Sequence, residues 1–303
     1  MNIASIDIGS NTVLLLIVNI EDGKINTIVN QYRIPRISEG LLPGQPINND
    51  KIIFLLSILR EYKKEIEKHY CSKVFITGTN ALRIASNSGD IVKRIKKELN
   101  LTVKIIDGTE EARLSFLGAS LTIPQLQEKV VIDIGGGSTE VIYGNNNNVK
   151  FRYSFQTGVV SLTEKYLSNI PYTQNNFKEI SQFLSITFDK LLKQNISPKQ
   201  PTIAVAGTPT TLSAINQALK EYDENKIEGS ILKLNEIKVI LNKMKKLTSK
   251  EIIKEFGNVV SGREDIILAG TLILVHLMEA LSLDRIYVSE KGLRYGIIKD
   301  YLL

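Results

Sequence analysis

Short apolar runs with β-branched residues alternate along this chain with longer stretches of helical spacing. Near the start, Ile3 to Ile6, Val13 to Asn19 and Ile25 to Gln31 predict three strands. Further on, Val130 to Ile132, Glu140 to Tyr143 and Val149 to Phe155 predict three more. In each trio an aspartate-glycine turn joins the first two strands: Asp7-Ile8-Gly9-Ser10-Asn11-Thr12 in one, and Asp133 through Gly135, Gly136, Gly137, Ser138 and Thr139 to Glu140 in the other. A polar reversal joins the last two strands, Glu21-Asp22-Gly23-Lys24 in the first trio and Gly144 to Asn148 in the second. Asp, Asn and Gly tolerate the positive φ of tight hairpin turns. The two trios are therefore copies of one unit, and the chain carries an internal repeat.

Between the copies, Ile52, Ile53, Leu55, Leu56, Leu59, Tyr62 and Ile66 keep helical spacing and predict a helix over Asp50 to Tyr70. A strand from Lys73 to Thr77, a helix from Gly89 to Leu99, a strand from Val103 to Ile106 and a helix from the Gly108 block to Leu121 follow. Beyond the second copy, helices are expected over Lys178 to Gln194, after Gly207, over Asn235 to Lys246, Glu264 to Leu281 and Gly292 to Leu302. Strands are expected at Thr202 to Ala206 and Arg285 to Val288. Alternation of strand, loop and helix marks an α/β fold. With the repeat, 303 residues suit two domains. Pro124 precedes the second copy, giving domains 1–124 and 125–303, with the terminal helix free to pack back on the first.

The composition is that of a globular protein, with 43% hydrophobic and 23% charged residues. Lys and Arg number 38 against 32 Asp and Glu, a net charge of +6 that suits an anionic partner: nucleic acid, polyphosphate or a nucleotide. Cys71 is the single cysteine, so no internal disulfide is expected, and a reduced cytoplasm is the natural setting. No basic segment precedes an apolar run at the start, so no secretory leader is expected. The apolar stretch Ile266 to Met278, interrupted by Gly270, Thr271 and His276, is too short to span a bilayer and reads as a buried helix, and no membrane partner is expected.

The glycine turns carry the candidate chemistry. Two such turns facing each other would grip a phosphate with main-chain N–H groups, leaving carboxylates to hold a cation. No Gly-x-x-x-x-Gly-Lys-Ser/Thr loop is present.

Six blocks follow one another in the order found in exopolyphosphatases and guanosine pentaphosphate phosphohydrolases: Asp7 to Thr12, Thr77 to Arg83, Gly108 to Leu114, Asp133 to Glu140, Gly207 to Thr211, and Gly292 to Gly296. The chain resembles that family over nearly its whole length. The resemblance implies two ribonuclease-H-like domains of the actin, Hsp70 and sugar-kinase superfamily with a cleft between them. With only His69 and His276, the His-Asp hydrolase module of longer members is expected to be absent. By motif, Glu111 is the implied general base, with Glu110 directed elsewhere, and Arg83 is the arginine beside the site, able to hold a phosphate bidentately. The phosphate donors are Gly9, Ser10, Asn11, Thr12, Gly135, Gly136, Gly137, Ser138, Gly207 and Thr208. Asp133 and Glu140 suit Mg²⁺ as hard oxygen ligands, and Asp7 completes that shell or fixes the loop.

The implied reaction is hydrolysis of the terminal phosphoanhydride of inorganic polyphosphate. Guanosine pentaphosphate is the alternative substrate, and a superfamily ATPase or kinase and a non-catalytic sensor of polyphosphate or an alarmone are the competing functions. Pro209 stiffens the turn at which superfamily kinases hold adenosine, which counts against a nucleotide there. A homodimer is a further expectation, and nucleic acid is not expected as a partner of this family. Simpler readings stand beside these: structural ion pairs for Arg113 and Arg294, a packed core position for His276, a helix C-terminus for His69, and a turn for Asn145 to Asn148. The basic residues Lys63, Lys64, Lys68, Lys93, Arg94, Lys96 and Lys97 are either a solvated helix face or a track for a long polyanion.

Overall fold

The computed structural model describes residues 1–145, 149–168, 172–192 and 200–303. The chain forms two compact units, Met1–Gly118 with Leu293–Leu303, and Ala119–Gly292. This division follows Gly118, where the sequence reading placed it at Pro124, and it assigns the terminal helix to the first unit.

In the first unit, β1 (Asn2–Ile8), β2 (Val13–Glu21) and β3 (Lys24–Arg33) form an antiparallel meander. The chain then runs through α1 (Asn49–Lys68), β4 (Lys73–Gly78), α2 (Asn80–Ile84), α3 (Ser88–Leu99), β5 (Lys104–Ile105) and α4 (Gly108–Ala119). The strands order as β3-β2-β1-β4-β5, with β4 parallel to β1 and β5 parallel to β4. Asn48 caps α1 by accepting a 2.8 Å hydrogen bond from the Asp50 N–H. Of the predicted stripe, Ile52, Leu55, Leu56, Leu59, Tyr62 and Ile66 are buried in the unit's core, whereas Ile53 is exposed on the opposite face. Within that core the Tyr62 hydroxyl donates to the Val13 carbonyl at 2.9 Å, fixing the helix to the start of β2.

The second unit repeats the meander as β6 (Glu128–Ile134), β7 (Thr139–Asn145) and β8 (Val149–Phe155). It continues through α5 (Val159–Tyr166), α6 (Gln174–Leu192), β9 (Thr202–Val205), α7 (Gly207–Asn216), α8 (Glu224–Ile227), β10 (Ile231–Lys233), α9 (Leu234–Met244), α10 (Ser249–Phe256), α11 (Ile267–Ala280) and β11 (Arg285–Val288). The six strands order as β10-β11-β9-β6-β7-β8. The apolar stretch around Gly270 is α11, buried nearly all round as the unit's central helix. No helix among the described residues is long and apolar enough to cross a membrane. The closing helix α12 (Leu293–Tyr301) belongs with the first unit. The middle of the Asn145 to Asn148 reversal and the last residues of the helix predicted to Gln194 lie outside the described residues.

Five helices and strands were not anticipated: α2, α5, α8, β10 and α10. For α10 a signal existed, since Thr248 and Glu251 form a reciprocal capping box with 2.8 Å bonds from the Thr248 N–H and hydroxyl to Glu251. For α5 none did, because Gly158 supplies no side-chain cap and the helix start is set by tertiary contacts. The strand expected over Val103 to Ile106 shortens to Lys104–Ile105.

Most non-glycine residues with positive φ occupy ordinary places. Tyr70, Asn100, Ala218 and Ser282 terminate α1, α3, α7 and α11, and Asp22 turns the β2–β3 hairpin. Arg36 (φ 51°) and Ala206 (φ 73°, ψ −174°) do neither. Ala206 occupies a region essentially reserved for glycine, at the sharp junction from β9 into α7. Replacing it should relieve backbone strain of about 1–3 kcal/mol, offset in part by the greater freedom of glycine in the unfolded chain. Ala206→Gly is therefore expected to raise the unfolding free energy by about 1 kcal/mol, read as a shifted urea midpoint at unchanged slope.

Candidate active site

The repeat holds to the level of single hydrogen bonds. In the first turn the Gly9 N–H donates to the Thr12 carbonyl at 3.0 Å, and in the second the Gly135 N–H donates to the Ser138 carbonyl at 2.9 Å. A Cβ on Gly9 would stand 3.0 Å from Thr12 O, and one on Gly135 3.1 Å from Ser138 O, so both turns crowd a side chain in the same way.

The carbonyls of each turn are occupied from behind. In the first unit, Arg36 N–H donates to Asn11 O and Ser38 N–H to Ser10 O, both at 3.1 Å. In the second, Val159 N–H donates to Gly135 O at 3.0 Å and Val160 N–H to Gly136 O at 2.8 Å, so the first turn of α5 is spent on the glycine loop. Gly158 makes that approach possible, because a Cβ there would meet the Gly136 carbonyl atoms at 2.4 Å. With the carbonyls engaged, the N–H groups of Ser10, Asn11 and Thr12, and of Gly136, Gly137 and Ser138, donate to no described residue. The Ser10 hydroxyl is also buried without a hydrogen bond among the described residues.

Carboxylates flank both turns. Asp7 ends β1 opposite Leu14, whereas Asp133 ends β6 opposite Glu140, so the second copy sets two acidic side chains on one face of adjacent strands. Ser154 of β8, next in that row, donates to Glu140 Oε1 at 2.6 Å and fixes its orientation. Glu140 is buried and Asp133 half-buried.

In the first unit, Asp107 caps α4, its side chain accepting from Glu110 N–H at 2.8 Å. One turn into that helix, Glu111 Oε2 accepts from Arg83 Nη1 at 2.9 Å, and the same nitrogen donates to Ile106 O at 2.9 Å. Thr79, at the start of α2, donates its N–H to Ile8 O at 3.2 Å, so the helix that carries Arg83 begins against the residue preceding Gly9. Glu110 faces elsewhere. It is paired with Arg113, which donates to it at 2.8 and 3.0 Å and holds its carboxyl below the usual range. Of the adjacent carboxylates, Glu111 is thus the one paired with Arg83.

The Gly207 block lies at the matching end of β9, since Asp133 is opposite Val205 in parallel register. A Cβ on Gly207 would collide with the Arg263 guanidinium at 1.7 Å, and the Thr208 side chain is buried against Gly270 of α11. What Gly207 and Thr208 can offer a ligand is their backbone, while Pro209 has no N–H to offer. No sequence signal singled out Gly158 or Arg263. A glycine twenty residues from its partner loop shows its role only once β7 and β8 have folded the chain back.

The Ppx/GppA phosphatase family matches residues 16–303. The chain belongs to that family. The crystal structure of the Aquifex aeolicus family member is 33% identical and superposes with a TM-score of 0.87, covering 100% of this chain and 97% of that one. An exopolyphosphatase from Cytophaga hutchinsonii is 27% identical with a TM-score of 0.91, covering 100% and 98%. These likenesses place both mixed sheets in the actin-like fold of the Ppx/GppA structures. A bifunctional 3-dehydroquinate synthase/phosphatase of Fusobacterium nucleatum is 29% identical over 98% of this chain and 46% of its own length, so this chain spans about half of that relative.

Other residues common to the Ppx/GppA blocks have structural work. Arg294 is buried, with Nη1 donating to Leu15 O at 2.8 Å and to Asn30 Oδ1 at 2.7 Å, and Tyr295 shares a 2.7 Å hydrogen bond with Thr27. His276 is half-buried in α11, where burial holds its imidazole below the usual value. His69, at the end of α1, lies 3.6 Å from Glu65. The basic helix faces are largely neutralised locally: Arg94 and Arg60 meet on Glu98 at 2.7 and 2.8 Å, and Lys63, Lys68 and Lys93 lie within 4 Å of Glu67, Glu65 and Asp90. That pattern fits a solvated face better than a polyanion track. For the turn itself, Gly158→Ala is expected to displace Gly136 and lower turnover on phosphoanhydrides at least about tenfold, with the fold retained. Unchanged kinetics in a folded variant would show that the loop need not hold its shape.

Proposed function

We propose that this chain is a phosphoric anhydride hydrolase that removes the terminal phosphate of inorganic polyphosphate. The observation that carries the reading is the pair of turns whose carbonyls are capped from behind, leaving three undonated backbone N–H groups on each. Such donors stabilise the charge spread over the equatorial oxygens of a phosphoryl group in transfer. Water attacks the terminal phosphorus, the bond to the bridging oxygen breaks, and orthophosphate leaves with a chain shortened by one unit. Glu111 orients the water and accepts its proton. In a loose transition state positioning outweighs proton abstraction. Arg83 fixes that carboxylate and adds positive charge beside it.

The acidic pair fits a hard divalent cation. Asp133 and Glu140 are adjacent oxygen donors on paired strands, and no cluster of three or more ligating side chains occurs among the described residues. Mg²⁺ is typically held in this way, by one or two carboxylates with water and substrate phosphates completing its shell. Bound there, it would neutralise charge on the phosphate chain. Asp7, the counterpart of Asp133 in the repeat, is assigned to the same shell or to the first loop.

Guanosine pentaphosphate would draw on the same donors, and ratios of kcat/KM for polyphosphate, pentaphosphate and ATP, measured by orthophosphate release, rank the substrates. The proposal expects polyphosphate first and is overturned by a preference for ATP. Glu111→Gln should lower kcat by roughly 10²–10⁴ with KM little changed. Near-normal turnover would remove Glu111 from the reaction. Asp133→Ala should raise the Mg²⁺ concentration for half-maximal rate, and a titration matching the parent chain would leave Asp133 only a brace for its loop.

A further inference from the structure

The helix that carries Glu111 follows a short strand. β5, which leads into it, contributes two residues at the sheet's edge. The helix also meets α12. A Cβ on Gly296 would lie 1.7 Å from Leu114 O, so α12 rests directly on the backbone of α4, three residues past Glu111. Arg113 then bridges the helices. Its guanidinium donates to Asp300 at 2.6 and 2.9 Å through Nη1 and Nη2, while Nε and Nη2 donate to Glu110 at 2.8 and 3.0 Å. Ile106, Leu114, Leu293 and Ile297 form a small core of their own beneath this clamp, and the Phe75 and Tyr301 rings meet at a tilt with centroids 5.3 Å apart. Ile106 also supplies the carbonyl that receives Arg83.

We propose that Asp300, through the Arg113 fork, is a positioning residue for Glu111, and that the C-terminal helix thereby belongs to the catalytic apparatus. This rests on the assignment of Glu111 to the water. A planar guanidinium bonded on two edges fixes rotation as well as distance, which a lysine or a single contact would not. Glu110 and Glu111 are neighbours on one helical turn, so anchoring Glu110 sets the direction in which Glu111 projects. A shift of about 1 Å in such a group costs on the order of a hundredfold in rate.

The test is a double-variant cycle on the full chain with polyphosphate, read as kcat and KM at a temperature where thermal melting shows every variant folded. Asp300→Asn should lower kcat on the order of tenfold to a hundredfold while KM holds, and Asp300→Glu should recover part of the loss. In the Glu111→Gln background, Asp300→Asn should change the residual kcat by less than about twofold, because the group it positions has lost its function. Full, additive losses in the double variant would overturn the inference and make the clamp a structural tie, as would an Asp300→Asn chain with unchanged kcat. Failure of the underlying reading shows separately, as normal turnover in Glu111→Gln alone.

Discussion

Everything at the candidate site depends on backbone N–H groups engaging the carbonyls of the two glycine turns from behind. A tight turn exposes donors and acceptors together, and an anion is repelled by the acceptors as strongly as it is drawn by the donors. Bonding Ser10 O and Asn11 O to the segment after β3, and Gly135 O and Gly136 O to the start of α5, removes the acceptors and leaves the amides. The same constraint explains the glycines, since Gly9 and Gly135 are pressed against their own turn carbonyls and Gly158 against the neighbouring loop. It also accounts for one strained residue: Arg36, left-handed outside any helix end, supplies the N–H that meets Asn11.

The sheets put these turns where a ligand can meet them. In each unit the glycine turn leaves the carboxyl end of a strand paired in parallel with another, β1 with β4 and β6 with β9. Ligands of open α/β sheets gather at that edge. In each unit the next loop along that edge carries a further candidate group, Thr79 in the first and Gly207 in the second, brought beside its turn by topology rather than by proximity in sequence. The repeat is not symmetric in chemistry. Leu14 opposes Asp7 while Glu140 opposes Asp133, so only the second copy pairs two carboxylates across adjacent strands.

Much of this was legible in the sequence. The two meanders were visible because Asp-Gly turns and β-branched alternation are local signals, and α1 was visible because its buried stripe repeats over about four turns. The six ordered blocks pointed to the Ppx/GppA phosphatase family before any contact was known. Gly158 and Arg263 were hidden, because each is defined by a backbone met only after the chain has turned back on itself. The start of α5 was hidden for the same reason, its cap being a loop rather than a side chain. For the basic residues of α1 and α3 the sequence left two readings open, since composition shows their charge but not the pairing of Arg94, Lys63 and Lys68 with Glu98, Glu67 and Glu65. The Gly292 to Gly296 block packs against α4 and β2, a role that shows only once the chain's end has returned to the first unit.

The account's central claim is that the turns hold a terminal phosphate while Glu111 directs water to it. Hydrolysis of polyphosphate in water enriched in ¹⁸O, followed by mass spectrometry of the product, tests this most directly. The account predicts orthophosphate as the product, one labelled oxygen in each, and residual chains without label at early times. Label appearing in the residual chains, or no orthophosphate at any Mg²⁺ concentration, would contradict it.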